Sequence, residues 1–224
     1  MATEPHPQLL LPVAPADYAT FENFHPAGND TVLRVLQNVT APSYWLHGAA
    51  GCGKSHLLQA VCASDERSAY TTGQTLIDWP PEGLDGFERF EQVCIDDVHR
   101  VLGDREREVA LFHLFNRLQD RGGTLLLAAP QPPVAYDFAL ADLGSRLRAS
   151  VALRVDSLDD DGAIAALKLR AGCRGFEMPA ATARYLLSHY QRDMGSLCRL
   201  LDQLDTASLA AQRKLTVPFV KTIL

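Results

Sequence analysis

The segment GAAGCGKS at residues 48–55 constrains the fold of this chain more than any other feature. It fits the pattern G-x-x-x-x-G-K-[ST], and it stands between a strand-like run at 43–48 and a helix predicted from 53 to 63. Its glycines let the backbone turn tightly, so that N–H groups converge on an anion at the positive end of the helix. We therefore predict a phosphate-binding loop, here called the phosphate loop, whose nucleotide-binding residues are Gly48, Ala49, Ala50, Gly51, Cys52, Gly53, Lys54, Ser55 and His56.

Two acidic residues end a second strand-like run, VCIDD at 93–97. Beside a phosphate loop, Lys54 is expected to bridge the β- and γ-phosphates, and Ser55 is expected to bind Mg²⁺. We expect Asp96 to hold the same metal through water and Asp97 to polarise an attacking water. The alternative is an acidic helix cap that follows a core strand, and the complete phosphate loop makes that interpretation the weaker one.

Apolar strand-like runs alternate with helical patterns in the first part of the chain. Strands are predicted at 43–48, 68–72, 93–97, 124–129 and 151–155, the last three as buried strands. An amphipathic helix is predicted at 106–122, with Gly122 at its end, and a loop at 78–87. This alternation indicates an α/β fold with a mainly parallel sheet flanked by helices.

After Val155 the pattern is helical only. Helices are predicted at 159–172, 179–190, 193–212 and 216–224, with Asp159 or Asp160 as the first cap and Pro179 in the first turn of the second. The predicted organisation is a flexible tail at 1–16, an α/β nucleotide-binding domain at 17–156 and a small all-helical domain at 157–224.

Composition excludes several classes of protein. The net charge of −6 does not favour duplex DNA binding, which needs clustered Lys and Arg. The five cysteines include no CxxC pair, which indicates buried, reduced thiols without zinc, and His47 and His56 are interpreted as neighbours of the phosphate loop. No apolar run reaches the ~18 residues of a membrane span, and residues 1–8 lack the basic start of a signal peptide. We expect a cytoplasmic protein without membrane contact or sequence-specific DNA binding.

Together these segments resemble the AAA+ ATPases, and among them the DnaA/Hda family of replication proteins. The resemblance covers about residues 17–224 and is carried by YATFENFHPAGND (18–30), CIDDVHRVLGDREREVALFHLFNRLQDRG (94–122), ADLGSRLRAS (141–150), KLRAGCRGFEMP (168–179) and the last 22 residues, 203–224. It implies an AAA+ P-loop NTPase core followed by a helical lid. No helix-turn-helix domain is expected after the lid, and in this expectation the chain resembles the free-standing Hda branch of the family.

The resemblance assigns further site residues. Arg146 in LGSRL matches the arginine finger, which acts on the nucleotide of a neighbouring subunit; a surface salt bridge is the alternative. Tyr18, Phe21 and Phe24 match the segment that lines the adenine pocket, with core packing as the alternative. The implied ligands are an adenine nucleotide and Mg²⁺, and the implied partners are DnaA and, through the AAA+ interface, a second copy of the chain.

Two positions depart from a working ATPase. Relatives carry a polar sensor for the γ-phosphate where this chain has Ala129 and Pro130, and a lid arginine where it has Gly195. Arg192 and Arg199 are the alternatives for the lid arginine. The departures favour bound ADP over ATP and a weak or absent ATPase activity.

The tail carries the motif QLLLP at residues 8–12. It resembles the Q-L-x-L-P pattern with which members of this family and other replication proteins dock on the DNA polymerase sliding clamp. The clamp-binding residues would be Gln8, Leu9, Leu11 and Pro12, and the alternatives are packing on the chain's own domain and a chance match.

The expected function is negative regulation of replication initiation by stimulating hydrolysis of DnaA-bound ATP. The alternative is an autonomous ATP-driven loader or adaptor that recruits DnaA or helicase to DNA.

Overall fold

The core of the chain is a parallel sheet whose strand order differs from the order of the strands in sequence. The computed structural model describes residues 19–190, 194–211 and 215–223. The strands are β1 (Ser43–His47), β2 (Ser68–Thr72), β3 (Gln92–Asp96), β4 (Thr124–Ala129) and β5 (Val151–Arg154). They are ordered β2-β3-β4-β1-β5, and every neighbouring pair is parallel. The predicted parallel α/β sheet is thus confirmed.

Helices cover both faces of this sheet. They are α1 (Asp30–Gln37), α2 (Lys54–Ser64), α3 (Gly73–Asp78), α4 (Arg105–Asp120) and α5 (Ala141–Arg148). Alternate residues of β3 enter two different hydrophobic clusters: Ile95 packs in the cluster that contains α4, and Cys94 packs in the one that contains α2. Because both faces are buried, the central strands are continuous apolar runs, and this is why they were visible in the sequence.

The C-terminal part is a separate helical unit with its own hydrophobic cluster. Its helices are α6 (Asp160–Cys173), α7 (Ala180–His189), α8 (Met194–Ala211) and α9 (Val217–Ile223), and they are called the lid below. Asp159 caps α6, since its side chain accepts a hydrogen bond of 2.7 Å from the Gly162 backbone N–H. No helix in the described part of the chain combines the length and the apolar character needed to cross a bilayer.

Some predicted elements need correction. β5 was expected to be buried, but it is an edge strand in which only Leu153 is buried, because no strand follows it in the sheet. The loop at 78–87 contains a 3-10 turn, Pro81–Leu84, and Pro179 is the residue before α7 rather than part of its first turn. The helices α1, α3 and α5 were not predicted; each has at most eight residues, too few to show a clear period.

A fully buried carboxylate joins two of these elements. Glu108 on α4 is 0% exposed. Its carboxylate accepts hydrogen bonds from the backbone N–H of Gly103, at 2.6 Å, and of Leu140, at 2.7 Å. Gly103 follows the turn at the end of β3, and Leu140 is the residue before α5. Glu108 therefore connects the turn after the acidic strand to the start of the helix that carries Arg146.

Replacing Glu108 by Ala should lower the free energy of unfolding by about 2–4 kcal/mol, because two buried N–H donors lose their acceptor. Glu108→Gln, which keeps one acceptor oxygen, should cost less. The measurement is urea denaturation, with Glu106→Ala as the control, since Glu106 is exposed on the same helix. A cost below about 1 kcal/mol for Glu108→Ala would show that these hydrogen bonds contribute little.

Candidate nucleotide-binding site

A cleft of about 400 Å³ lies between the phosphate loop and the lid. Its volume is within the range of about 300–1,000 Å³ typical of small-molecule sites. The lining residues from the α/β part include the segment from Ala50 to His56, together with Asp97. The lid contributes Ala166, Arg170, Gly195 and Cys198. The structure thus brings most of the predicted phosphate loop to one cavity, which the lid closes on the other side.

The loop backbone requires glycine at two positions. Gly48 has a φ of +155°, and a Cβ there would lie 2.3 Å from the carbonyl oxygen of Val155. Gly53 has a φ of +104°, and a Cβ there would lie 2.7 Å from the ring of Phe24. Any side chain would push the loop away from β5 or from the N-terminal segment. These contacts shape the cradle of backbone N–H groups that a phosphate would occupy.

Lys54 supplies the positive charge of this cradle. The residue is only 7% exposed. Its ammonium donates hydrogen bonds to the carbonyl oxygens of Gly48, at 2.8 Å, and Ala49, at 2.9 Å. A cation held at the start of α2, among glycines in left-handed conformations, fits a bound phosphate.

The predicted metal-binding pair is also brought together. Asp96 is buried at the end of β3, and the Ser55 side chain at the start of α2 is one of its neighbours. The Tyr70 hydroxyl donates a hydrogen bond of 3.0 Å to the Asp96 carboxylate. Burial raises the pKa of Asp96, and the neighbouring Ser55 hydroxyl opposes that rise. Tyr70 was missed in the sequence because its position depends on the register of β2 with β3.

This pair fits Mg²⁺ only together with a nucleotide. No group of three or more His, Cys, Asp or Glu residues with metal-binding geometry occurs in the described ranges. Ser55 and Asp96 would thus share the metal with phosphate oxygens and water, as is usual for a cation that keeps part of its hydration shell.

Asp97 lines the cleft. The sequence predicted it as the last residue of the strand, but in the structure it lies just beyond the strand. β3 ends at Asp96, and Asp97 adopts a left-handed conformation with a φ of +50°. Its side chain is half exposed, and Oδ1 lies 3.9 Å from Nδ1 of His99. The turn therefore leaves Asp97 outside the sheet, among the residues that line the cavity.

The two sensor positions carry no side chain able to contact a phosphate. Ala129 is fully buried at the end of β4, and the Pro130 carbonyl accepts a hydrogen bond of 3.2 Å from the Gly48 N–H. Gly195 lines the cleft without a side chain. Of the predicted alternatives, Arg199 is not among the lining residues and hydrogen-bonds to Ser196, whereas Arg192 lies outside the described residues.

His56 joins three parts of the site. Its Nε2 lies 2.8 Å from the Thr20 carbonyl oxygen, and its Nδ1 contacts the guanidinium of Arg170 in the lid. The ring packs edge-on against Phe24, with centroids 5.3 Å apart. Burial, with a further contribution from Arg170, lowers the pKa of His56 to about 4. The ring is therefore neutral at pH 7, with its proton on Nε2, where it donates to Thr20.

The aromatic residues expected at the adenine pocket have different positions in the structure. Phe24 lines the cleft and is also a buried member of the hydrophobic cluster that contains α1 and α2. Phe21 is not among the lining residues and packs against the hydrophobic cluster of α1 and α2, which is the core-packing alternative. Tyr18 lies outside the described residues, as do the clamp-motif residues Gln8, Leu9, Leu11 and Pro12.

Arg146 is not among the residues that line the cleft of its own chain. It is half-buried on α5, and its guanidinium lies 4.9 Å from the ring centroid of Phe112 and 5.4 Å from that of Phe115. Both rings belong to α4. A cation–π arrangement of this kind holds the side chain at the surface of the α4 and α5 pair.

The strand order, the phosphate loop after β1, the acids at the end of β3 and the helical lid define an AAA+ P-loop nucleotide-binding protein. Residues 160–224 match the family described as "Hda, lid domain". The predicted resemblance to the DnaA/Hda family is confirmed by this match together with the fold.

Solved structures show the same architecture. Domain III of the replication initiation protein DnaA from Thermotoga maritima matches with a TM-score of 0.75 and 21% identity, over 93% of this chain and 96% of that chain. AMPPCP-bound DnaA from Aquifex aeolicus matches with a TM-score of 0.68 and 21% identity, over 84% of this chain and 65% of that chain. The Thermotoga maritima RuvB Holliday junction branch migration motor matches with a TM-score of 0.62 and 15% identity, over 91% and 72% of the two chains.

The lowered pKa of His56 predicts a pH dependence of stability. Between about pH 6.5 and pH 4 the unfolded chain binds a proton at this position that the folded protein does not, so stability is fully present above pH 6.5 and falls with pH. From pH 7 to pH 5 the wild type should lose about 2 kcal/mol more than His56→Phe. Urea denaturation at both pH values measures the difference. His113→Gln, at an exposed position on α4, is the control and should keep the wild-type dependence. Equal losses in wild type and His56→Phe would contradict the assignment.

Proposed function

We propose that this protein is an Hda-like negative regulator of replication initiation. It binds an adenine nucleotide in its own cleft and docks on the DNA-loaded sliding clamp through QLLLP. It then promotes hydrolysis of the ATP bound to DnaA, with Arg146 acting in trans on the nucleotide of that partner. Its partners are therefore the clamp and DnaA, and self-association through the same AAA+ surface stays a prediction, as does a cytoplasmic location.

The position of Arg146 is the observation that carries this proposal. Its side chain lies outside its own cleft, on the rings of Phe112 and Phe115, so a phosphate that it reaches belongs to another subunit. A guanidinium at a phosphoryl-transfer site stabilises the charge that develops in the transition state. The Hda lid family match and the DnaA fold support DnaA as the subunit that presents this phosphate.

The nucleotide in the protein's own cleft has a structural role in this proposal. Lys54 and the loop N–H groups would bind its phosphates, Ser55 and Asp96 would hold Mg²⁺, and Phe24, which lines the cleft, would border the base. When bound, the nucleotide and its metal supply the charge around which the loop and lid are arranged. The sensor positions hold Ala129, Pro130 and Gly195, and none of these residues has a side chain that could donate a hydrogen bond to a γ-phosphate. ADP is therefore the favoured nucleotide.

The clamp contact is proposed from the motif itself. In an extended peptide, Leu9 and Leu11 would fill an apolar pocket, Gln8 would make polar contacts and Pro12 would restrict the chain. Burial of two leucines contributes about 3–6 kcal/mol before the cost of ordering the tail, which suits a reversible contact.

An autonomous ATP-driven loader or adaptor is the second candidate. It is favoured by the presence of Ser55 and Asp96 next to each other and by Asp97, which lines the same cleft as the phosphate loop. The lost sensor side chains argue against it, since an ATPase needs groups that detect and stabilise the γ-phosphate.

Arg146→Ala should lower the stimulated rate of ATP hydrolysis by DnaA about 10³-fold or more, which is the usual effect of removing an arginine finger. Conversion of DnaA-bound ATP to ADP is measured with clamp loaded on DNA. Arg67→Ala is the matched control, because Arg67 is exposed beside the amino end of β2, at the opposite end of the sheet from the cleft.

Two outcomes of this experiment decide between the candidates. Full stimulation by Arg146→Ala would show that the finger is elsewhere. If wild type fails to stimulate DnaA but hydrolyses ATP alone, the protein is an autonomous ATPase.

The triple variant Gln8→Ala, Leu9→Ala, Leu11→Ala should lose clamp binding while its circular dichroism spectrum and nucleotide affinity stay unchanged. Leu10→Ala is the control, since Leu10 occupies the variable position of the motif and should tolerate truncation. Binding is measured by surface plasmon resonance on immobilised clamp. Unchanged affinity of the triple variant would show that QLLLP is not the docking segment.

A further inference from the structure

Arg170 lines the cleft and was assigned no role in the sequence analysis. It lies on α6 of the lid, one turn after Ala166, and both residues line the cavity opposite the phosphate loop. Of the described residues that line this cavity, Lys54 and Arg170 are the two with a permanent positive charge. The α/β part thus contributes one cation and the lid contributes the other.

Two neutral groups fix the guanidinium in this position. One nitrogen contacts Nδ1 of His56, and the other lies 2.7 Å from Sγ of Cys198 on α8. The proton of His56 is on Nε2, so Nδ1 accepts a hydrogen bond from Arg170. Burial raises the pKa of Cys198, which keeps the thiol uncharged. These two contacts therefore orient the arginine toward the cavity that it lines.

The start of α8 offers no side chain at the corresponding place. Gly195 lies in the same cavity and has no side chain that could reach a ligand from that helix. A lid cation is therefore supplied by α6 instead of by the start of α8. Guanidinium is well suited to this place, since its planar donors match phosphate oxygens.

We propose that Arg170 is the lid's phosphate-binding residue, held over the phosphate loop by His56 and Cys198, and that it contacts the phosphates of a nucleoside diphosphate. This inference rests on nucleotide binding in the proposed function. Arg170 is a binding residue, and His56 is a positioning residue that acts through it. Because His56 also donates to Thr20, the same contacts place the lid, the phosphate loop helix and the N-terminal segment around one ligand.

The test is the affinity of the full chain for ADP, measured by isothermal titration calorimetry. Arg170→Gln removes the charge but keeps an amide that can donate to His56, and it should weaken ADP binding by about 10- to 100-fold, as for a lost hydrogen bond to a charged group. Arg170→Lys keeps the charge and should recover most of the affinity. Lys168→Ala, an exposed cation on the same helix, is the matched control and should bind as wild type does.

A second variant separates ligand contact from lid positioning. His56→Phe removes the acceptor for Arg170 while keeping a ring against Phe24, and it should weaken ADP binding by less than about fivefold, well under the loss expected for Arg170→Gln. If Arg170→Gln binds ADP within threefold of wild type, or if His56→Phe loses as much affinity as Arg170→Gln, Arg170 is not a phosphate ligand.

The assay contains neither DnaA nor clamp. A failure to stimulate DnaA would therefore leave the inference standing, and normal ADP binding by Arg170→Gln would overturn the inference alone. A wild type that binds no ADP would overturn the inference and the nucleotide part of the proposed function together.

Discussion

The packing of Gly48 between the ends of β4 and β5 is the contact on which the rest of the site depends. Gly48 donates to the Pro130 carbonyl after β4, and the space for its missing side chain is filled by the Val155 carbonyl after β5. Because β1 lies between those two strands, the phosphate loop begins at a point fixed from both sides. The turn of the loop, the position of Lys54 and the direction of α2 all follow from this anchorage.

The strands and the phosphate loop could be predicted because their signals are local. β3 and β4 are apolar runs, and the loop is a contiguous motif with glycine at the positions that need positive φ. For the same reason the cap of the first lid helix could be narrowed to Asp159 or Asp160, and the structure shows that it is Asp159.

The contacts that complete the site depend on residues far apart in sequence. Arg170 meets His56 across 114 positions, and Glu108 meets Leu140 across 32, so neither pairing has a sequence signature. Phe21 and Phe24 belong to one short segment, yet only Phe24 lines the cleft, because the fold of that segment decides which ring faces the ligand. Tyr70 likewise meets Asp96 only through the pairing of β2 with β3.

The buried carboxylate of Glu108 has a mechanical consequence. It is bonded on one side to the turn that follows Asp97 and on the other to the residue that begins α5. With no water at the carboxylate to replace a broken hydrogen bond, these two backbone segments resist separate displacement. The turn that carries Asp97 and the helix that carries Arg146 are therefore mechanically coupled through Glu108, and a displacement of one of them is expected to shift the other.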